Sequence, residues 1–382
     1  MKPRKVLIIT HNYPTSFSER RNAGIFVHDF AKELTSQGVQ VFVFCPSATK
    51  NPGNIEGIPV HWFSWGRPNK SLKELKVWNP LDLLSLLIFF IYGFKESINY
   101  AQKIKPDYCL SMWAVPSGIF SLAIKKKLNI PYGIWVLGSD IYVYGRLPIF
   151  GQIIKSVLKN ANHLFSDGYD LAIKVAKMSA KKCHFLPSGT SFADKLKLPR
   201  VKRSKSQTVL TFVGRMEQEK GPDVLVDAVL ELAQNVRSKI FVNLIGDGTL
   251  LDVLKNKVAE KGVDSTFYFF GNVDDKQKIF DVIHNSDWLV IPSRSDSIPL
   301  VFSESMKAGT PIIAAGLPDL KYLVEKYKVG LNFKPGDKRV LSKILSNLPT
   351  KIQRNKMAVN TSQAAENFKL KTSVTSFLKI VH

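Results

Sequence analysis

The sequence predicts an α/β protein built from two parallel sheets, each covered by helices on both faces. Three observations carry this. Short apolar runs alternate with amphipathic helical stretches along nearly the whole chain. That alternation stops once, at the polar, basic segment Leu196 to Gln207 (LKLPRVKRSKSQ), and then restarts. The chain has 382 residues, which suits two domains of roughly 150–200 residues better than one.

The first half opens with a strand, Lys5 to Thr10, followed by a long polar segment from His11 to Ala23. Apolar residues at Phe26, Val27, Phe30, Ala31 and Leu34 have helical spacing and stop at Gly38. A second strand, Val39 to Phe44, comes next. This strand–helix–strand unit has an unusually long first connection, a type that is commonly functional. Further strands are expected at Ile58–Phe63, Tyr108–Trp113, Tyr132–Leu137 and His163–Ser166, with helices between them. In the second half the expected order is strand Val209–Val213, helix Pro222–Val236, strand Phe241–Ile245, helix Leu250–Glu260 and strand Phe267–Phe270. Then come helix Lys276–His284, strand Trp288–Ile291, helix Leu300–Ala308 and strand Pro311–Ala314. Domains are therefore expected at 1–195 and 208–366, with a terminal segment 367–382. Open sheets of this kind bind ligands at the carboxyl ends of their strands.

Composition narrows the function classes. The apolar run after the basic start, Val6 to Ile9, is too short for a signal peptide. No uninterrupted apolar stretch reaches the ~20 residues a spanning helix needs; the longest, Leu81 to Phe94, contains Ser85 and Gly93. The three cysteines, Cys45, Cys109 and Cys183, are odd in number and far apart, so neither a disulfide framework nor a zinc site follows, and a reducing cytoplasm is expected. Net charge is +23, with +15 in residues 1–200 and +8 in the remainder. Such a surplus attracts anions or simply solvates the surface. No zinc spacing, aromatic-basic RNA motif or helix-turn-helix supports nucleic acid.

Three segments can carry chemistry. GRMEQEKG, residues 214–221, places Arg215 and Lys220 on a strand-to-helix loop, with Pro222 at the first helical position. Two cations beside a helix start suit a diphosphate. IPSRSDSIPLVFSESMKAGTPII, residues 291–313, reads strand, loop, helix, strand. Ser295, Asp296 or Ser297 can cap that helix, and the first-turn N–H groups, including those of Leu300 and Val301, can hold a phosphate. Glu304 lies one turn beyond Leu300, about 6 Å along the same face, where its carboxylate can accept from two adjacent sugar hydroxyls. Asp296 precedes the helix, where it can cap the helix or meet a sugar beyond the phosphates. In LIGDGTL, residues 244–250, Gly246 and Gly248 permit close approach of a planar ligand; Leu251 stands where a dinucleotide fingerprint needs a third glycine. In the first half, Gly24 opens a helix, and Asp140 in the Gly138-Ser139-Asp140 run follows a strand.

These motifs, in this order and spacing over residues 208–340, resemble the retaining nucleotide-sugar glycosyltransferases of family 4, which have the GT-B fold. The carrying residues are Gly214-Arg215, Lys220-Gly221, Gly246-Asp247-Gly248, Asp296, Glu304 and the AGTPII run. The first half matches more loosely, through Gly24, GSD at 138–140 and PSG at 187–189. The resemblance implies two Rossmann-like domains with parallel sheets facing an interdomain cleft, the first binding the acceptor and the second the nucleotide sugar. It implies a terminal helix over 367–382 that crosses back to the first domain. Arg215 and Lys220 would neutralise the donor diphosphate and Glu304 would bind the ribose. Leu300 and Val301 would offer backbone N–H groups, Gly246 and Asp247 would line the donor site, and Gly24 would let the diphosphate approach. Asp296, one methylene shorter than the family's usual Glu, would sit near the transferred sugar. Asp140 is a further catalytic candidate. Leu137 stands where many relatives have a sugar-contacting His, and no first-half His is an obvious substitute, His11 being a weak candidate.

The expected activity is that of a metal-independent hexosyltransferase using a UDP or GDP type donor without a further cofactor. Its acceptor would be a glycan or lipid-linked molecule, and its role cell-surface polysaccharide or lipopolysaccharide biosynthesis. A sugar-nucleotide epimerase and a non-catalytic nucleotide or polyanion binder are the alternatives. The basic first half, with Arg20, Arg21, Lys125 to Lys127, Lys181 and Lys182, also suggests peripheral contact with an anionic membrane. The stretch Leu83 to Tyr92 would form a buried core helix or add an apolar membrane contact.

Overall fold

In the computed structural model the described residues are 3–14, 24–47, 53–65, 75, 79–189 and 207–382. Arg20, Arg21 and nearly all of the expected linker lie outside them. The chain divides into two units, one formed by Met1–Pro187 with Leu370–His382 and the other by Ser188–Lys369.

The first unit holds β1 (Lys5–Ile9), β2 (Gln40–Ser47), β3 (Asn54–Ile55), β4 (Ile58–Ser64), β5 (Tyr108–Met112), β6 (Tyr132–Val136), β7 (His163–Ser166) and β8 (Cys183–Phe185). Their order is β3-β4-β2-β1-β5-β6-β7-β8. All pairings are parallel except the two-residue edge hairpin of β3 on β4. β1, β5 and β6 are central and buried on both faces, which is why they read as continuous apolar runs. β3 and β8 escape sequence reading because they are two and three residues long.

Helices cover both faces. On one side the helix Ile25–Ser36 packs with the terminal helix Leu370–Ile380. Phe377 from that helix lies 5.6 Å from Phe30 and 5.4 Å from Phe165, and Ser373 Oγ donates to Pro187 O at 2.9 Å. On the other side lie Pro80–Ile104, Ser117–Leu128 and Pro148–Asn160. The two residues that interrupt the apolar stretch 81–94 belong to the buried face of the first of these. Ser85 Oγ returns to Leu81 O, and a Cβ at Gly93 would sit 2.3 Å from the Phe120 ring, so glycine lets the two helices approach. The expected core helix is therefore buried along Phe89 and Gly93, while Leu81, Leu83, Leu84, Leu87, Ile91 and Tyr92 are exposed. No helix among the described residues is long and apolar enough to cross a membrane.

The second unit holds β9 (Thr208–Val213), β10 (Ile240–Ile245), β11 (Phe267–Gly271), β12 (Trp288–Ile291), β13 (Ile312–Ala315) and β14 (Gly330–Phe333), in the order β11-β10-β9-β12-β13-β14. Every pairing is parallel. The helix expected over Pro222–Val236 ends at Leu230. Arg237 folds back and donates to the carbonyls of Leu230 and Leu232, which satisfies the helix end and starts a separate short turn, Gln234–Arg237.

Candidate active site

The strand order of the second sheet explains why three motifs far apart in sequence meet. β10, β9 and β12 are neighbours, so the loops leaving their carboxyl ends, 246–250, 214–221 and 292–299, lie side by side. Glycines set their separation. Gly246 has φ +137°, and a Cβ there would stand 1.9 Å from Gly214 O. Gly248 has φ +152° and faces Met216 O in the same way. The close approach these glycines permit brings two backbone loops together. Hydrogen bonds from Met216 N to Asp247 O and from Leu250 N to Met216 O, both 2.8 Å, join the loops. Glu217 accepts from Thr249 N and Oγ1, which holds its carboxyl below the usual range.

The 292–299 loop is fastened to the 214–221 loop by Arg294, which sequence reading passed over. Its guanidinium makes a two-point pair with Asp223, at 2.8 and 2.6 Å, and donates to Gln218 O at 2.7 Å. The Asp223 hydrogen bonds push the Arg294 pKa up. A basic residue two positions before Asp296 was the available signal, but its partner lies 71 positions away.

Within this frame the structure brings Lys220 and Asp296 together. Lys220 Nζ lies 2.5 Å from Asp296 Oδ2, and Ser293 Oγ donates to the same oxygen at 3.2 Å. Both charged side chains are mostly covered, 23% and 18% exposed. Asp296 thus does not cap the following helix. Ser297 does not either: its hydroxyl reaches Asp319 at 3.3 Å. Pro299 occupies the N-cap position and no side chain caps Leu300–Ala308, so the first-turn N–H groups of Leu300 and Val301 have no side-chain acceptor at the cap. Glu304 stands on that helix, half-buried. Arg215 is exposed and meets Glu219 at 3.3 Å, a surface pair that holds it weakly. Asp247 is exposed, its Oδ1 accepting from Gly248 N at 2.7 Å.

The first unit contributes its own strand ends. Asp140 is buried in the short helix Ser139–Tyr142 after β6, and accepts from Ala114 N, after β5, at 2.8 Å. Burial raises its pKa to about 6, and Oδ1 has no partner. Asp140 therefore ties two adjacent strand-end loops together. His11, after β1, packs on Trp113, with ring centroids 4.3 Å apart. Gly24 has φ +87°, and a Cβ would stand 2.4 Å from Asn12 O, so its missing side chain is required by its own loop. Among the described residues no cluster of three metal-ligating side chains occurs.

The family model for glycosyl transferases group 1 matches residues 194–367, and the model for glycosyl transferase 4-like proteins matches residues 20–168. A D-inositol 3-phosphate glycosyltransferase of Jonesia denitrificans is 33% identical over 86% of this chain and 83% of its own. The chain belongs to the group 1, family 4-type glycosyltransferases. Among relatives of this glycosyltransferase is TuaC of Bacillus subtilis, named for teichuronic acid biosynthesis, 24% identical over 90% of this chain and 88% of its own. Of solved structures, Anabaena Alr3699/HepE in complex with UDP superposes with a TM-score of 0.74 at 14% identity, covering 99% of both chains. WaaG, a glycosyltransferase involved in lipopolysaccharide biosynthesis, gives 0.68 at 14% identity, covering 98% of this chain and 99% of its own. The fold is GT-B.

Proposed function

We propose that this glycosyltransferase moves a hexose, with retention at the anomeric carbon, from a UDP or GDP type sugar to a glycan or lipid-linked acceptor. The work would be cell-surface polysaccharide biosynthesis at the cytoplasmic face of a membrane. The observation that carries the reading is the Lys220–Asp296 pair, with Arg215 on the same loop as Lys220 and an uncapped helix start after Asp296, at two adjacent strand ends of the second unit.

The difficult event in glycosyl transfer is the departure of the nucleotide diphosphate, which gains negative charge as the anomeric bond breaks. Cations and N–H dipoles fixed where that charge develops stabilise the transition state more than the ground state. Arg215 and Lys220 supply the cations, and the N–H groups of Leu300 and Val301 supply the dipoles. In this reading cationic side chains serve where other transferases use a metal. Asp296, held beside Lys220, faces the sugar end of the diphosphate, and Glu304, one turn into the helix, takes the ribose hydroxyls. Gly246 and Asp247 shape the donor site by keeping their loop against the Arg215 loop. Retention follows from attack on the face that the leaving group vacates. Gly24, close against Asn12, lets the diphosphate approach the first unit, and Asp140 joins the ends of β5 and β6 there.

Thermal unfolding in the presence of a panel of UDP and GDP sugars tests the reading, because a ligand bound only to the folded state raises the melting temperature. At least one sugar nucleotide should do so, and Lys220→Ala should slow cleavage of that donor by about 10²-fold while leaving the chain folded. A panel without any shift, or a Lys220→Ala protein with normal turnover, would remove the assignment.

A further inference from the structure

Two groups of large apolar side chains stand in solvent on the first unit. One lies in the first three turns of the helix Pro80–Ile104: Leu81, Leu84, Leu87 and Ile91, the last 63% exposed. Their spacing of three to four residues makes a single stripe. The other runs from Val143 and Leu147 into the helix Pro148–Asn160, with Ile149, 76% exposed, and Ile153 one turn on. Monomeric proteins rarely expose contiguous apolar surface of this kind without a use for it.

The topology puts both groups at one edge. Each helix connects parallel strands of one sheet, so each runs against the strands and begins at their carboxyl ends. Both lie on one face of the sheet and flank the helix Ser117–Leu128: Phe89 and Phe94 meet Phe120 on one flank, and a Cβ at Gly118 would touch Val157 on the other. The two starts are therefore separated by about two interhelical spacings, roughly 20 Å. They share the edge that carries His11, Trp113 and Asp140.

Charge at this edge selects the occupant. Residues 83–94 contain no charged residue, and Lys95 follows. The helix Pro148–Asn160 has no acid, exposed Arg146 precedes it and Lys155 stands two residues past Ile153; Lys159 lies at its far end, by the opposite edge of the sheet. Glu96 is engaged by His61. An apolar face bordered by cations matches an anionic lipid leaflet, with chains to receive the Leu and Ile side chains and headgroup phosphates to meet Arg and Lys. Two of the lysines that the sequence singled out are turned to other work: Lys125 donates to Asn160 O and Lys181 to Ala161 O, at the opposite edge of the sheet.

We propose that the exposed apolar starts of the helices Pro80–Ile104 and Pro148–Asn160 form one docking face that seats the acceptor edge of the first unit on an anionic membrane. The inference rests on the reading of the acceptor as membrane-borne, and it moves the contact from scattered basic residues to a defined apolar face.

The full chain is sedimented with phosphatidylcholine vesicles and with vesicles that also contain phosphatidylglycerol, at low and high salt. Variants are Leu84→Ser with Leu87→Ser and Ile91→Ser, and separately Ile149→Ser with Ile153→Ser. All five positions are exposed, and circular dichroism with the nucleotide-induced thermal shift verifies the fold. The wild type should bind the phosphatidylglycerol vesicles and keep part of that binding at high salt, and each variant should lower the partition coefficient about tenfold or more. Wild-type protein that ignores the vesicles, or variants that bind as the wild type does, would overturn the proposal. So would a wild-type dimer in sedimentation velocity that the variants lose without any vesicle binding, since the face would then belong to a second copy. A lost nucleotide shift in the wild type would count against the transferase reading instead, leaving the vesicle result to stand or fall alone.

Discussion

Replacing Asp296 by Asn removes the negative charge opposite Lys220 while keeping the side-chain shape. In the native protein Lys220 Nζ is 2.5 Å from Asp296 Oδ2, with both side chains under a quarter exposed. A hydrogen bond to a charged group at such a site contributes about 1.5–3 kcal/mol. Ser293 Oγ, 3.2 Å from the same oxygen, can still donate to an amide oxygen, so the stability loss should fall in the lower part of that range. The effect on ligands should run the other way. Lys220 is held by Asp296 until a diphosphate draws it away, so Asp296→Asn should tighten binding of free UDP or GDP by up to about tenfold, or 1.4 kcal/mol. Transfer should nevertheless fall by about 10²-fold, because the carboxylate beside the sugar is gone. Calorimetric titration with UDP and GDP, with urea unfolding of the wild type, Asp296→Asn, Lys220→Met and the double variant, measures both effects. Residues in direct contact should show a coupling energy of about 1–3 kcal/mol. Additive unfolding energies together with unchanged nucleotide affinity would refute the coupling and leave Asp296 and Lys220 acting independently.

Glu304→Ala should weaken free nucleotide and intact donor equally, by roughly 1.5–3 kcal/mol, as a ribose contact requires; calorimetry that shows a loss for the sugar donor alone would exclude that contact. Gly246→Ala should destabilise the second unit by at least about 2 kcal/mol in urea unfolding and weaken nucleotide binding with it, because the added Cβ would stand 1.9 Å from Gly214 O at φ +137°. Asp140 titrates at about 6 in the folded chain against an ordinary 3.8, because burial disfavours its charge. The folded state therefore holds its proton more tightly, and stability should decline as pH rises from about 4 to about 6, by up to about 3 kcal/mol, then level off. Melting temperatures across that window should show the decline in the wild type and a flatter profile in Asp140→Asn, whose amide does not titrate.

The two-fold run of strands and helices was legible because each element carries its own local signal. β7, β12 and the helices Lys276–His284 and Leu300–Ala308 have the bounds that their apolar runs, glycine stops and capping residues mark. The motif loops were legible too, since a glycine or proline after a short apolar run ends a strand whatever surrounds it. Partnership was not. Lys220 and Asp296 are 76 positions apart, and Arg294 and Asp223 are 71 apart. These pairs meet because β9 lies between β10 and β12, a consequence of sheet order that no local pattern encodes. Gly246 and Gly248 carried a readable signal of close approach, but whether the approaching atoms were a ligand or the neighbouring loop depended on that same order. Direction was likewise hidden in the helix Pro80–Ile104. Its first three turns are apolar on nearly every side, so periodicity alone could not say which stripe faces the core. Packing against Phe120, a ring contributed by the next helix, turns Phe89 and Gly93 inward and leaves Leu84, Leu87 and Ile91 in solvent.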